Sequence, residues 1–219
     1  MRSRHPRAGF SLIELTITMA IVTVVVALAI PSMNRWAENE RLTESVRSVD
    51  AAIGFARSEA IRTGNIHLVF IGLDPGGSTL VGPDGDDVHL LVVDDGLAGS
   101  AGQNCAIDAG EASLGVTLEQ DVTFGVSAAG GKVATDPGLA AISAGTTFAD
   151  ASGNAASRLL FRPEGPPLRF NTDCTMSAIG TGGGGIYLNN GDRDKAVVVT
   201  PIGTTRIHSW NASASAWSS

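Results

Sequence analysis

The chain starts with scattered basic residues, Arg2, Arg4 and Arg7, and then turns apolar almost without a break from Leu12 to Ile30. One acid, Glu14, stands inside that run. Residues 10–30 come close to the roughly 20 positions that a helix needs to cross a bilayer, so they are expected to form a transmembrane helix. An ionisable group in such a span is expensive unless something pairs with it. Glu14 is therefore the first candidate functional residue. Pro31 closes the run, and proline inside a helix removes a hydrogen bond and bends the chain. The helix is expected to be interrupted there and to resume.

From Ser32 to Thr63 the apolar positions gather on one side. Leu42, Val46, Val49, Ile53, Ala56 and Ala60 recur at spacings of four and three, the period of an amphipathic helix. Glu38/Arg41, Glu44/Arg47 and Glu59/Arg62 stand at i,i+3. Such pairs add only tenths of a kcal/mol each and mark a solvated face. Gly64-Asn65 reads as the C-cap. A helix from Phe10 to Arg62 would be roughly 80 Å long at 1.5 Å per residue. No compact domain buries that length, so its first half belongs in lipid or a filament core and its second half, residues 31–63, under a β domain.

Past Gly64 the period drops to two. Strands are expected at Ile66–Ile71, Val88–Val93, Arg158–Phe161, Ile186–Leu188, Ala196–Thr200 and Thr205–Trp210, each bounded by turn residues. Val116–Leu118 and Val122–Phe124 give a weaker strand signal, and Gly82–Asp87 reads as a hairpin connection. Residues 97–115 are small and glycine-rich; residues 125–157 are dominated by Ala, Gly, Ser and Thr and read as a long, variable loop. Gly182–Gly185 reads as a flexible run. The fold class is α+β: a long N-terminal helix, transmembrane then amphipathic, packed on an antiparallel β-rich domain over 64–210, with a small polar, frayed tail at 211–219.

The stretch Gly9-Phe10-Ser11-Leu12-Ile13-Glu14, after a basic leader and before an apolar run, resembles the class III signal of type IV pilins and type II secretion pseudopilins. The resemblance implies that a prepilin peptidase cuts between Gly9 and Phe10 and methylates the new amine. Residues 1–9 are then a leader, Phe10 is the first mature residue and Glu14 the fifth. In that family the glutamate is thought to pair with the N-terminal amine of a neighbouring subunit, and an opposite charge nearby is what a desolvated carboxylate needs. An ordinary secretory signal would place its cut after the apolar core; here the core leads straight into a helix.

Charge and composition narrow the rest. The 219 residues carry a formal −7, and loss of the three leader arginines takes the chain to −10. An acidic protein is a poor generic partner for nucleic acid, whose binding depends on neutralising phosphates. With 27 glycines and 5% aromatics, a loop-rich β domain fits better than an enzyme with a large aromatic pocket. Basic residues before the span keep the leader in the cytoplasm and send the C-terminal bulk across. The expected location is the bacterial inner membrane, single-pass, with the C-terminal domain in the periplasm. Two cysteines, Cys105 and Cys174, lie beyond the span. In an oxidising space they form a disulfide, with two unpaired buried thiols as the alternative.

A narrower resemblance comes from Leu160-Phe161-Arg162-Pro163-Glu164-Gly165 and a terminal hairpin through Gly203 to Arg206. With the long helix, these stretches are similar to the H-type minor pseudopilins of type II secretion and to FimT/FimU-type minor pilins. The resemblance implies a minor pseudopilin that assembles into a short periplasmic pseudopilus or its tip and helps to export folded proteins. Its partners would be other pseudopilins or minor pilins, the prepilin peptidase and the inner-membrane assembly platform. The alternative is a minor type IV pilin acting in pilus assembly, adhesion or DNA uptake. Some FimT-type proteins bind DNA through Gly-Arg-x-Arg in this hairpin; here Gly203-Thr204-Thr205-Arg206 keeps the glycine and the last arginine only. Residues 64–219 hold seven Lys/Arg against 16 Asp/Glu, which leaves Arg206 a weak DNA-binding candidate and a strand-end residue paired with a nearby acid the plainer reading.

Other constellations carry less. Asp84, Asp86 and Asp87, and Asp192 with Asp194, are loop acids without EF-hand spacing and read as solvated turns. His67 and His89 read as strand-face residues, and His208 as exposed. No Gly-x-Ser-x-Gly elbow, His-Glu-x-x-His or phosphate loop is present, so neither an enzyme nor a cofactor is expected. A membrane-anchored β domain that joins no filament is the least specific reading.

Overall fold

The computed structural model describes residues 11–219 other than 75, 98, 101, 109 and 112, with the backbone alone for 27–32 and 113. The leader 1–9, with Gly9, and Phe10 lie outside the described residues. The chain divides into two compact units, Met1–Asn39 and Glu40–Ser219.

One helix, α1, runs from Leu12 to Thr63. It passes through Pro31 without a break, where an interruption was expected. The missing proline N–H removes one rung of the ladder, and the turns on either side hold the rest. In the first unit the apolar side chains from Leu12 to Val26 stand exposed. Among the described residues no helix is long and apolar enough to cross a membrane. Of the expected span, Phe10 and the side chains of 27–30 lie outside those residues, and 11–26 alone fall short of the roughly 20 positions a bilayer requires.

In the second unit the helix ends as its cap residues dictate. Gly64 adopts φ 76° and its N–H reaches the Ala60 carbonyl at 3.1 Å, a left-handed exit that glycine makes without Cβ strain. The stripe Leu42, Val46, Val49, Ile53, Ala56 and Ala60 is fully buried, and Ala52 joins it. It packs against the inner faces of two antiparallel five-stranded sheets.

The first sheet has the order β5-β4-β1-β7-β8: Ser113–Val116 (β5), Leu90–Leu97 (β4), Asn65–Ile71 (β1), Arg158–Phe161 (β7) and Pro167–Leu168 (β8). The second has the order β12-β11-β10-β9-β6: Ala216–Ser218 (β12), Thr205–Asn211 (β11), Asp194–Val199 (β10), Gly184–Asn189 (β9) and Thr123–Phe124 (β6). The Gly82–Asp87 connection is flanked by a short ribbon of Leu80–Val81 (β2) with Asp87–Val88 (β3).

The expected alternation of buried and exposed positions fails in the central strands. Every residue of β1 from Ile66 to Ile71 is buried. Val69 and Ile71 face the helix, while Ile66, Leu68 and Phe70 belong to a second cluster with Leu91, Val93, Leu160, Phe170 and Cys105. The second sheet has its own outer cluster of Val133, Tyr187, Ala196 and Val198. Loops cover both outer faces, so the central strands bury both sides. Residues 97–112 and the 170s cover the first sheet; residues 125–157, read as a variable loop, cover the second.

Two buried aspartates hold that second cover. Asp194, 1% exposed, accepts hydrogen bonds from the backbone N–H groups of Ser127 (2.6 Å), Ala128 (2.7 Å) and Ala129 (2.5 Å). Asp136 accepts from the Tyr187 hydroxyl, the Thr147 hydroxyl and the Gly138 N–H, each at 2.7 Å. Burial first, and then Asp136, push the Tyr187 phenol well above its ordinary range, so it stays a donor at every working pH. Gly182–Gly185 is buried rather than flexible. A Cβ on Gly185 would come within 2.7 Å of the Asp136 carboxylate, so the missing side chain is what lets the cover approach the outer face of β9, while a Cβ on Gly184 would meet the Phe148 ring of the inner core at 2.6 Å.

The 211–219 tail is not frayed. Ala216–Ser218 pairs with β11, and Trp217 packs edge-to-face on Tyr187 and on Trp210, each with ring centroids 5.6 Å apart. An indole of that area on an aromatic neighbour holds even a three-residue strand.

Candidate functional site

The N-terminal candidates are partly in view. Glu14 lies in the first turn of α1 and is exposed. A carboxylate in a first turn is favoured by the helix dipole, and the turn is closed by the Leu15 N–H on the Ser11 carbonyl at 3.1 Å. Around it the helix is apolar on all sides: Leu12 is 80% exposed and Ile13, Leu15 and Ile17 more than half. A helix hydrophobic all round is built to be surrounded by lipid or by other helices. Glu14 is the one acid on that surface among the described residues before Asn34.

Cys105 and Cys174 are joined by a disulfide with their Cα atoms 5.3 Å apart. It ties the 97–112 loop to the segment after β8 over a separation of 69 residues. Cys105 is 2% exposed, and its N–H reaches the fully buried Asp95 carboxylate at 3.1 Å. Burial raises the Asp95 pKa against the pull of the Asn104 and Cys105 amides. Asp95 with the two sulfurs is the one cluster of metal-ligating types among the described residues. Both sulfurs are spent in the S–S bond, and a metal needs thiolates, so the cluster is a structural staple.

The loop acids do not assemble into a cation site. Asp194 is turned inward to hold 127–129, whereas Asp192 is exposed. Asp84, Asp86 and Asp87 are exposed, with Asp87 near the Thr79 hydroxyl at 3.5 Å. Of the histidines, His67 lies in β1 as expected, whereas His89 falls between β3 and β4, exposed and outside a strand, and His208, expected to be exposed, is buried. His67 is 4% exposed, with Nε2 4.0 Å from Asp94. His89 Nδ1 accepts the Leu118 N–H at 3.3 Å, and His208 is 7% exposed.

The two C-terminal motif stretches meet in space. A Cβ built on Gly203 (φ 81°) would lie 2.9 Å from the Gly165 carbonyl oxygen and 3.1 Å from Arg57 Nε. The two turns therefore close on each other and on a helix arginine that sequence reading left unremarked. Arg57 Nε is enclosed without a hydrogen-bond partner among the described residues. No sequence signal singled out Arg57, because its turn of helix looks like any solvated one until the hairpins fold onto it. Arg206 points its exposed side chain away from any acid: among the described residues none pairs with it.

Residues 4–30 match the family model of the prokaryotic N-terminal methylation motif. The match takes in Gly9, Glu14 and the apolar run, so the N-terminal region is type IV pilin-like. No curated protein and no solved structure matches the chain.

Proposed function

We propose that the chain is a minor pseudopilin of the H type, anchored in the bacterial inner membrane with its β domain in the periplasm, that joins the short pseudopilus of a type II secretion system. The observation that carries this reading is the methylation motif at 4–30 running directly into a helix whose apolar side chains are exposed all round. Such a surface needs neighbours, and the motif supplies the chemistry for a neighbour to recognise. Cleavage after Gly9 would free the Phe10 amine, and a second subunit's Glu14 would neutralise it inside the bundle. An ion pair in that dry setting is favoured only when both charges are present. The work done is assembly: the helix packs beside other pilin helices and the β domain presents a surface to cargo or to other tip subunits.

A second reading is a FimT/FimU-type minor pilin acting in pilus assembly, adhesion or DNA uptake. The observation that favours it is the exposed, acid-free Arg206 at the Gly203 hairpin. The lone arginine on an acidic domain argues for a protein partner over DNA.

The test is affinity purification of the membrane-extracted chain, with mass spectrometry of its N-terminus and its partners. A methylated Phe10 with secretion pseudopilins supports the first reading. Methylated Phe10 with type IV pilus subunits moves the function to the pilus, and an unprocessed N-terminus overturns both. In the same cells Glu14→Ala should be cleaved normally yet fail to co-purify with the partners; undiminished co-purification would remove the ion pair from the mechanism.

A further inference from the structure

The outer face of the second sheet carries a groove of about 600 Å³ that filament assembly does not call for. Strand alternation puts Arg206, His208 and Trp210 on one side of β11. Register sets His208 opposite Ala196 and Arg206 opposite Val198, both members of the outer cluster. This side therefore faces away from α1. Trp217, from β12, stands beside Trp210 with the two indoles edge to face, and its Nε1 donates to the Gly131 carbonyl at 3.0 Å. That bond fixes residues 130–135 as the opposite wall. Both indoles are only half-buried.

The polar groups in the groove are few and placed. Lys132 Nζ is committed to the Gly138 carbonyl at 2.5 Å, which holds the wall rather than offering a free charge. His208 is nine-tenths buried and its Nε2 has no hydrogen-bond partner among the described residues. Burial, and next the Arg206 charge, lower its pKa, so the imidazole is neutral. That nitrogen is itself closed off from solvent, so the ring serves as floor and the polar groups a ligand reaches lie at the rim. Ser215 and Ser219 add hydroxyls at the rim.

We propose that this groove binds a saccharide, one pyranose ring lying against the half-exposed indole of Trp210 with its hydroxyls toward Ser215, Ser219 and the 130–135 wall. Indole faces are electron-rich, and the C–H face of a pyranose is the weakly positive, flat partner they favour. Pockets of this size combine an apolar floor with a small number of orienting polar groups. A polyanion is disfavoured by the domain's net acidity, and a lipid chain by the polar wall. The proposal holds for whichever filament the chain joins.

The test uses the full chain in a non-glycosidic detergent, with Trp36→Phe so that emission comes from Trp210 and Trp217 alone. The probes are the neutral tetrasaccharides chitotetraose, cellotetraose, maltotetraose and mannotetraose. At least one should give a saturable fluorescence change, and saturation-transfer NMR should place its ring protons at the protein. Trp210→Leu, which keeps apolar volume for folding, should weaken that binding by at least about tenfold, while Trp210→Phe retains it. Unchanged thermal unfolding checks that Trp210→Leu is folded. If no probe gives a saturable change, if Trp210→Leu binds like its parent, or if an extended peptide paired along β12 produces the change and no sugar does, the proposal is overturned.

Discussion

Asp95 shows how much a single side chain can depend on what folds over it. By sequence it is one acid of Asp94-Asp95-Gly96, the stretch that ends the expected strand Val88–Val93. In the structure it is fully buried beneath the 97–112 loop, accepting the Asn104 and Cys105 amides. Burial raises its pKa in the folded state above the ordinary 3.8. The folded state then holds the proton more tightly than the unfolded one, so ionised Asp95 lowers stability as pH rises through its folded pKa. Asp95→Asn keeps an acceptor for the Cys105 amide and removes the charge. It should melt higher than the parent at pH 7, and the gap should close as pH falls below 3.8, where the carboxyl is protonated in both states. Thermal unfolding of the pair across that range checks this; a gap independent of pH would show that Asp95 is not the titrating group. Cys105 and Cys174 both sit at positive φ, 56° and 62°, a conformation that non-glycine residues avoid, and the cross-link is what holds them there.

At the scale of elements, the helix stripe was legible because a buried face enforces its period, and the core strands because each is a short apolar run bounded by turn residues. Residues 125–157 were not legible. Their composition is that of a loop, and they contain no strand; what they do have is bonds to distant residues. Asp194 sits 65–67 positions away from the amides it holds, and nothing local to Ser127–Ala129 announces an acceptor. Asp194→Ala takes the acceptor from three backbone N–H groups, those of exposed Ser127 and Ala128 and of buried Ala129, a loss on the order of 3 kcal/mol. Amide exchange at 127–129 should accelerate with the global unfolding of the second sheet's cover, while exchange in β1 and β4 keeps its protection. Equal acceleration everywhere would mean that the cover and both sheets open as one unit. The terminal strand β12 was missed for a related reason: three residues carry no period, and only the Trp217 contact on Tyr187 and Trp210 defines it.

Across the second unit, one face of the helix packs on the inner faces of both sheets, loops cover their outer faces, and the disulfide ties the cover of the first sheet. Closing a loop with a 69-residue separation restricts the unfolded chain by about 2–4 kcal/mol. Replacing Cys105 and Cys174 together by serine should lower stability by that amount in denaturant titrations. The 97–112 loop should loosen first, exposing Leu91 and Val93 behind it, which a rise in susceptibility to proteolysis within 97–112 would register. Unaltered stability would mean the loop is held by Asp95 and its neighbours alone. The first unit follows a different logic. Its described apolar side chains from Leu12 to Val26 stand exposed, so their burial belongs to whatever surrounds them, in line with the assembly proposed above.

The sequence by itself determined the elements whose signals are local. These are the methylation motif, the apolar run with its single acid, the amphipathic stripe, the glycine cap and the central strands, because each is written in spacing or in a short contiguous stretch. Only the tertiary structure decided what covers what. Both sheets bury two faces, Asp95, Asp136 and Asp194 are interior anchors, the glycines at 182–185 are there for close approach, and Gly165, Gly203 and Arg57 come together. Each of these rests on contacts between residues tens of positions apart. The energy of a buried carboxylate or a stacked indole comes from the neighbour that folding delivers, and neither residue alone encodes which neighbour that will be.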